Sequence, residues 1–161
     1  MRDVRLWIRK WEKVGRFFGT YQRTLDAKLR LQIPTKLVKD MPSRFYLLRG
    51  FEGSLSLYLE EDFNLYLSTL SKLSYLDSNA RAYVRLASSS VEILEVDSHG
   101  RINIGSEIAK RYSISNEVTI IGVLDHFEIW DKKSYEEYLK ANEASFESIA
   151  EDLSKLSSED K

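Results

Sequence analysis

The chain has 161 residues, of which 43% are hydrophobic and 30% are charged, and its net charge is −1; this composition is typical of a soluble globular protein with one domain or two small halves. The absence of cysteine excludes disulfides, thiolate chemistry and cysteine-based zinc sites. No apolar run approaches the ~20 residues of a transmembrane helix, and the N-terminus lacks the pattern of a secretory signal, so we expect a cytoplasmic protein without a membrane partner.

A basic extension, residues 1–16, precedes the rest of the chain. Leu6, Trp7 and Trp11 are spaced to lie on one face of a short helix, and the segment also holds six basic residues. A basic amphipathic helix can bind a nucleic acid or a membrane surface, or it can dock on its own protein. We favour a docked helix, or an extension that depends on the choice of start codon.

The first repeat, residues 20–62, has the alternating apolar pattern of short β-strands. Strands are predicted at residues 18–22, 31–33, 45–49 and 55–59. Residues 26–29 are predicted as a tight turn between the first two strands. Pro34 cannot donate a hydrogen bond to a strand and suits the first turn of a helix, so a short helix is predicted at residues 35–40.

Residues 63–90 are predicted as a helical linker, because apolar residues recur at helical spacing after the acidic run 60–62. The second repeat, residues 91–134, follows the order of the first. Its strands are predicted at residues 91–96, 102–104, 118–123 and 127–130, with turns at 97–100 and 124–126 and a short helix at 106–112. Residues 135–161 are predicted as C-terminal helices that end in a polar tail.

A motif of Asp, three residues and Arg occurs once in each repeat. Asp26 precedes Arg30, and Asp97 precedes Arg101. Downstream positions of the two repeats match at one constant offset, and the matching pairs are Leu55 with Phe127, Leu57 with Ile129, Tyr58 with Trp130, and Phe63 with Tyr135. The shared order, spacing and residue character indicate an internal duplication.

These motifs resemble those of the MraZ family, which is built from two AbrB/SpoVT-like repeats. The first family motif, G-T-Y-x-x-x-L-D-x-K-G-R-x-x-(I/L)-P, corresponds to residues 19–34, and the second, D-x-x-G-R-(I/V)-x-(I/L)-P, corresponds to residues 97–105. The resemblance extends from about Phe17 to about Leu153. It implies an α+β fold, namely a pseudo-symmetric double-repeat swapped-hairpin β-barrel (AbrB/SpoVT-like) with flanking helices.

Two positions depart from the family pattern. Leu29 replaces the glycine that the second motif keeps as Gly100, at a position that favours φ > 0 and is costly for a bulky residue. Gly105 replaces the second proline, so the second short helix is expected to begin less firmly. The Asp residues are expected to bond turn amides or to pair with an Arg. The residues with a structural role in the motif are then Asp26, Asp97, Gly100 and Pro34.

The resemblance implies a sequence-specific DNA-binding transcriptional regulator. Members of the family repress the cell division and cell wall gene cluster, and they act as ring-shaped homo-oligomers on repeated sites in promoter DNA, so a nucleoid-associated protein is expected. An antitoxin-like or scaffolding module, which uses the same fold to bind protein, is the alternative. Neither function requires a cofactor, a metal or a small-molecule substrate, and none is expected.

The charge distribution indicates which half contacts DNA. Residues 1–49 hold thirteen basic and four acidic side chains, a net charge of +9, whereas residues 50–161 have a net charge of −10. The second repeat has Leu94 where the first has Arg23, and His99 where the first has Lys28. We therefore expect the first repeat to contact DNA and the second to serve assembly. The predicted DNA-binding residues are Arg23, Lys28, Arg30, Lys36, Lys39 and Arg101.

Catalysis has little support in the sequence. His99 and His126 each lie close to an Asp, but a metal site would need further ligands. No nucleophile motif and no phosphate-binding glycine loop is present, so we do not expect an enzyme and expect no catalytic residues. The helix aromatics Tyr66, Tyr135 and Tyr138 could mediate oligomer contacts, although packing within the chain is favoured.

Overall fold

The structure, a computed structural model, describes residues 16–159; the helix predicted in the basic extension lies outside this range. The strands are β1 (Thr20–Thr24), β2 (Arg30–Gln32), β3 (Arg44–Arg49), β4 (Leu55–Tyr58), β5 (Glu92–Glu95), β6 (Arg101–Asn103), β7 (Glu117–Val123) and β8 (His126–Asp131). The helices are α1 (Glu60–Ser71), α2 (Ser78–Ser89), α3 (Gly105–Arg111), α4 (Lys132–Asn142) and α5 (Phe146–Glu159), and a 3-10 turn (Glu143–Ser145) joins the last two.

Six strands form one antiparallel sheet in the order β1-β7-β8-β4-β3-β5, and β2 pairs with β6 in a separate two-stranded sheet. The first strand of each repeat pairs with the third strand of the other repeat. Strand β1 pairs with β7, and β5 pairs with β3. If each strand is replaced by its counterpart in the other repeat, the same strand order results, read from the opposite edge. The sheet therefore has two-fold pseudo-symmetry about the boundary between β4 and β8.

The predicted α+β class is confirmed, but the expected closed barrel is not shown. The six-stranded sheet is open in the described part of the chain, with β1 and β5 at its two edges. Its strands, together with β2 and β6, fall in the two repeats that the sequence predicted, four in each. Among residues 16–159, no helix has both the length and the apolar character that a membrane span requires.

The main core lies between the two-stranded sheet and one face of the six-stranded sheet. Leu31 and Ile102 from β2 and β6 are fully buried there, in one cluster with Leu57 and Ile129 of the larger sheet. The alternation of side chains along β2 leaves Arg30 and the other polar neighbours outward. Each such aliphatic side chain contributes roughly 1.5–3 kcal/mol through burial, so the apolar positions of the motif fix the small sheet on the large one.

The opposite face of the large sheet is covered by α1 and α4. Tyr46 stacks on Phe63 of α1 with ring centroids 4.5 Å apart. Trp130 packs against Tyr135 and Tyr138 of α4, with ring centroids 5.5 and 5.1 Å away. Tyr66 packs against the same cluster as Phe63. All three helix tyrosines considered for oligomer contacts therefore have packing partners within the chain.

The short helix predicted at residues 35–40 is wrong. The segment is a turn, in which the Leu37 amide donates to the Pro34 carbonyl at 3.0 Å. Two adjacent apolar side chains, Leu37 and Val38, are buried there. A stretch this short gains too few hydrogen bonds to nucleate a helix, and Pro42 disfavours helical backbone at the residue before it.

The corresponding segment of the second repeat does form a helix, which begins at Gly105. Gly105 adopts a φ of +77°, and its amide donates to the Asn103 side chain at 3.0 Å. Proline could supply neither that φ nor that donor. Glu107 in the first turn and Arg111 in the last turn of α3 also complement the helix dipole. The observed backbone at the beginning of α3 therefore requires glycine rather than proline at position 105.

Candidate nucleic-acid interface

The two Asp–Arg turns, residues 26–30 and 97–101, lie side by side. Pairing of β2 with β6 places Gln32 opposite Arg101. The Ile33 amide donates to the Gly100 carbonyl at 3.1 Å, and the Ile104 amide donates to the Leu29 carbonyl at 3.0 Å. The residue after β2 is thus hydrogen-bonded to the second turn, and the residue after β6 is hydrogen-bonded to the first turn. The two motifs, which are distant in the sequence, form one unit.

The first turn is held by Asp26. Its Oδ1 atom accepts hydrogen bonds from the backbone amides of Lys28 and Arg30, both at 2.9 Å. Its Oδ2 atom accepts from the Arg30 Nε at 2.6 Å. The Leu29 amide closes the turn on the Asp26 carbonyl at 2.9 Å. A single carboxylate therefore satisfies two turn amides and a guanidinium.

The second turn repeats this geometry. Asp97 Oδ1 accepts from the amides of His99 and Arg101 at 2.9 and 3.0 Å, and its Oδ2 accepts from the Arg101 Nε at 2.8 Å. The Arg101 Nη1 also lies 3.9 Å from the Asp26 Oδ2, which makes an ion pair between the two turns. The two arginines are therefore not equivalent: Arg101 faces two carboxylates, and Arg30 pairs with one.

Hydrogen bonding keeps both carboxylates ionised. Partial burial would raise the pKa of Asp97, but the Arg101 amide and guanidinium, together with the His99 amide, outweigh it and lower the pKa to about 2. The pKa of Asp26 is also lowered, mainly by the hydrogen bond from the Arg30 amide. Both turns therefore keep their ion pairs through the neutral and mildly acidic range.

The predicted φ > 0 is confirmed at both copies of the glycine position. Leu29 adopts a φ of 59° and Gly100 a φ of 75°. The Leu29 side chain is partly buried against the main core, and that apolar contact offsets the cost of left-handed backbone for a bulky residue. At Gly100 a Cβ would lie 3.2 Å from the Gln32 Nε2, so a side chain has less room there.

The predicted lysines lie at exposed positions around the first turn. Lys28 is exposed at the tip of the turn, and Lys36 and Lys39 are exposed on the turn segment that follows Pro34. Within residues 16–159, the side chains of these three lysines form no ion pair. That segment ends near the second turn, because the Met41 Cε lies 3.5 Å from where a Cβ on Gly100 would be.

Arg23 lies apart from the paired turns, on the edge strand β1. Its Nη1 donates to the Gln22 carbonyl at 2.8 Å, and its guanidinium lies over the Tyr21 ring at 5.9 Å. No hydrogen bond or ion pair in the described part of the chain joins Arg23, Lys36 or Lys39 to the Asp–Arg turns. The structure thus brings together Lys28, Arg30 and Arg101 and leaves the other three predicted residues around them.

Gln32 was missed by the sequence reading. Its Nε2 donates to the carbonyls of His99 and Gly100 at 2.9 and 3.2 Å, so it holds the second turn from the first repeat. The signal was present in the alternation of β2, because a residue between the buried Leu31 and Ile33 must face outward toward the turn of the pairing strand.

The two histidines do not lie in a metal-binding arrangement. His99 Nδ1 lies 3.2 Å from the Ser98 Oγ, and His126 Nδ1 lies 2.7 Å from the Asp125 Oδ1. His126, which was predicted in a turn, is the first residue of β8 and stacks on Tyr58 with centroids 4.8 Å apart. Among the residues that the structure describes, no three His, Cys, Asp or Glu residues are placed to hold a metal ion.

Comparison with known proteins gives a consistent result for both repeats. A family model described as "MraZ protein, putative antitoxin-like" matches residues 16–86 and 91–156, and each matched range contains one Asp–Arg turn. The chain is 40% identical over 138 residues to the Mesoplasma florum protein named Transcriptional regulator MraZ, covering 85% of this chain and 94% of that protein. It is 34% identical over 137 residues to the Ligilactobacillus salivarius protein of the same name, covering 85% and 96%.

Proposed function

The chain belongs to the MraZ family, and from that premise we propose that it is a transcriptional regulator that binds double-stranded promoter DNA. In this proposal it recognises repeated promoter sites sequence-specifically as a ring-shaped homo-oligomer. Its target is the cell division and cell wall gene cluster, which it represses, so the protein is associated with the nucleoid. The names of the two relatives support transcriptional regulation, and the charge and geometry of the first Asp–Arg turn support a DNA contact.

The observation that supports DNA binding most directly is the free hydrogen-bonding capacity of Arg30. Asp26 engages the Nε of Arg30, and no residue in the range 16–159 accepts from its terminal nitrogens. Those nitrogens can donate to phosphate oxygens or to a guanine edge. The exposed Lys28 is two residues away on the same turn, so the turn that Asp26 holds by hydrogen bonds has a positively charged tip.

The first repeat is the proposed DNA side of each subunit. Its turn has Lys28 where the second has His99, and Arg30 pairs with one carboxylate where Arg101 faces two. A guanidinium that is neutralised by two carboxylates has less net attraction for phosphate than one that is neutralised by a single carboxylate. The contact set in this proposal consists of Arg23, Lys28, Arg30, Lys36 and Lys39, with Arg101 as a weaker member.

A ring is part of the mechanism because one subunit has few basic residues to offer. Electrostatic affinity for DNA grows with the number of phosphates that the protein neutralises. Several subunits that contact successive repeats of the promoter at once would raise the affinity through effective concentration, without any further contact per subunit. In the proposed function, the repeated promoter sites are therefore bound by the repeated DNA-binding surfaces of one oligomer.

A gel shift with the DNA upstream of the protein's own gene tests the proposal. We expect specific binding that weakens steeply as the salt concentration rises, because each phosphate contact releases a counterion. No binding by an assembled sample would overturn DNA binding, and binding that salt leaves unchanged would overturn the proposed phosphate contacts. The alternative is an antitoxin-like or scaffolding module, and it is favoured by the net charge of −10 over residues 50–161, which suits a protein partner better than DNA. That alternative predicts no DNA shift.

A further inference from the structure

Helix α5 presents an apolar stripe that nothing in the described part of its own chain covers. Phe146, Ile149, Leu153 and Leu156 recur at helical spacing, and every residue from Phe146 to Ser157 is exposed. The Leu153 side chain is 61% exposed, for example. An isolated helix of this length is marginal in water, and most helical stability comes from packing an apolar face. The stripe therefore requires a partner surface.

The stripe does not pack on the sheet of its own chain, because every residue from Phe146 to Ser157 is exposed. The backbone at Asn142, Glu143 and Phe146 is in the right-handed helical region, so α4, the 3-10 turn and α5 follow one another without an extended residue at these three positions. At ~1.5 Å per residue, Leu153 lies roughly 28 Å along this arm from Ser134 near the start of α4. The apolar end of the arm is thus placed to reach another molecule.

A surface of matching character lies beside the start of the arm. The cleft, here named the Arg49–Arg111 cleft, has a volume of about 680 Å³ and includes Arg49, Phe51, Tyr83, Leu86, Arg111 and Tyr112 in its lining. The rings of Phe51 and Tyr83 are parallel, with centroids 6.4 Å apart, and Leu86 is exposed beside Tyr83 on α2. The cleft is therefore a groove open to solvent, with one apolar part formed by these two rings and Leu86 and a polar part that includes the two arginines. Ser134 also lines it, so it lies near the base of the arm and away from the tip.

The charges of the cleft and the helix are opposite. Arg49 and Arg111 are exposed and form no ion pair with residues 16–159, although Glu52 also lines the cleft. On α5, four acidic residues, Glu147, Glu151, Asp152 and Glu159, outnumber the single Lys155. An acidic helix is repelled by DNA and by anionic lipid, both of which require a basic face. A groove with free arginines is a better partner for it.

We propose that α5 of one copy lies in the Arg49–Arg111 cleft of a second copy, with its apolar stripe against Phe51, Tyr83 and Leu86. The contact joins two different surfaces, so each copy offers one arm and one cleft. A heterologous contact of this type produces a ring when its rotation closes. The contact itself does not depend on the proposed function. Only the identification of this assembly with the DNA-binding ring rests on it.

Measurement of molar mass by light scattering, without DNA, tests the contact. The wild-type chain should assemble into several subunits, and Leu153→Asp should reduce the mass to that of one chain by placing a charge in the apolar contact. Arg111→Glu should have the same effect from the cleft side, with Ile149→Asp and Arg49→Glu as second variants. The matched control is Leu76→Asp, because Leu76 is 92% exposed and belongs to neither surface. Circular dichroism verifies that each exposed-site variant remains folded.

A mixing experiment distinguishes this contact from any symmetric one. Leu153→Asp retains an intact cleft, and Arg111→Glu retains an intact arm, so an equimolar mixture should form complexes of two chains and no larger. A single-chain mass for the wild type, an assembled Leu153→Asp and Ile149→Asp, or a mixture that remains monomeric would each overturn the proposal. DNA takes no part in the measurement, so a wild-type assembly that fails the gel shift would overturn the proposed function alone.

Discussion

Arg101 of the second Asp–Arg turn places its Nη1 3.9 Å from the Oδ2 of Asp26 in the first. Two carboxylates and two guanidiniums from separate repeats of the sequence thus share one electrostatic unit. Because β2 and β6 also exchange backbone bonds with the opposite turn, loss of a charge in one repeat affects the geometry of the other.

Replacement of Asp26 should therefore be more harmful than replacement of Asp97. Asp26→Asn removes the charge that pairs with both Arg30 and Arg101, whereas Asp97→Asn removes a charge that pairs with one guanidinium, that of Arg101. We expect the melting temperature to fall in both variants and to fall further in Asp26→Asn. Calorimetry on the two variants provides the comparison. Equal melting temperatures would show that the ion pair between the turns contributes nothing.

The acid stability of the chain should depend on Asp97. Its pKa is lowered from an ordinary value of 3.8 to about 2, so its contribution to stability is complete above 3.8 and is lost as the pH falls toward 2. The urea midpoint of the wild type should therefore fall more steeply than that of Asp97→Asn between pH 4 and pH 2. Parallel curves for the two proteins in that window would contradict the lowered pKa.

Gly100→Ala should lower the free energy of unfolding by more than the backbone conformation alone requires. A residue with a side chain at a φ of 75° costs roughly 1–2 kcal/mol, and the new Cβ would also press on Gln32. Gly53→Ala is the matched control, because Gly53 has a φ of +82° with no atom within 4 Å of its added Cβ. Urea denaturation measures both. A larger loss at Gly53 would contradict the role given to Gln32.

Lys28→Ala should weaken DNA binding without changing stability. Its side chain is exposed, and the turn uses only its backbone amide. Loss of one phosphate contact should lower the slope of log affinity against log salt by about 1. Lys133→Ala is the control, since Lys133 is also an exposed lysine, on α4 in the acidic part of the chain. Fluorescence anisotropy over a salt series should show the change in the first variant alone.

Arg30→Gln should cost more DNA affinity than Arg101→Gln. Arg30 retains free terminal nitrogens, whereas Arg101 faces two carboxylates. The loss of a bidentate contact corresponds to about 1–3 kcal/mol, or roughly 5- to 150-fold in the dissociation constant. The two variants are compared by anisotropy at one salt concentration, after circular dichroism has shown that both are folded. Equal losses would remove the proposed difference between the repeats.

The sequence predicted most strands because their burial follows from local alternation. The strands predicted at residues 31–33 and 102–104 alternate in this way, and their apolar residues Leu31, Ile33, Ile102 and Ile104 are all buried. The strand partners could not be predicted in the same way. Periodicity shows which side of a strand is buried but not which strand lies beside it, so the pairing of β1 with β7 required the structure.

The candidate interface was predictable only in part, for a similar reason. The spacing of Asp26 and Arg30 is local, so a turn held by one carboxylate could be expected from the motif itself. The approach of Arg101 to Asp26 depends on packing between repeats and left no local signal. The turn after Pro34 was predicted as a helix because proline suits the first turn of a helix, whereas the structure buries the adjacent Leu37 and Val38 in a turn.

The pairing of β1 with β7 has a consequence for synthesis. When the first repeat leaves the ribosome, β1 has no partner, because β7 begins at Glu117. Strand β1 therefore remains without this partner until most of the chain has been translated. Pairing across so many residues slows folding and exposes apolar strands to aggregation in the meantime. A nascent chain that stalls between the repeats would therefore be a natural substrate for chaperones.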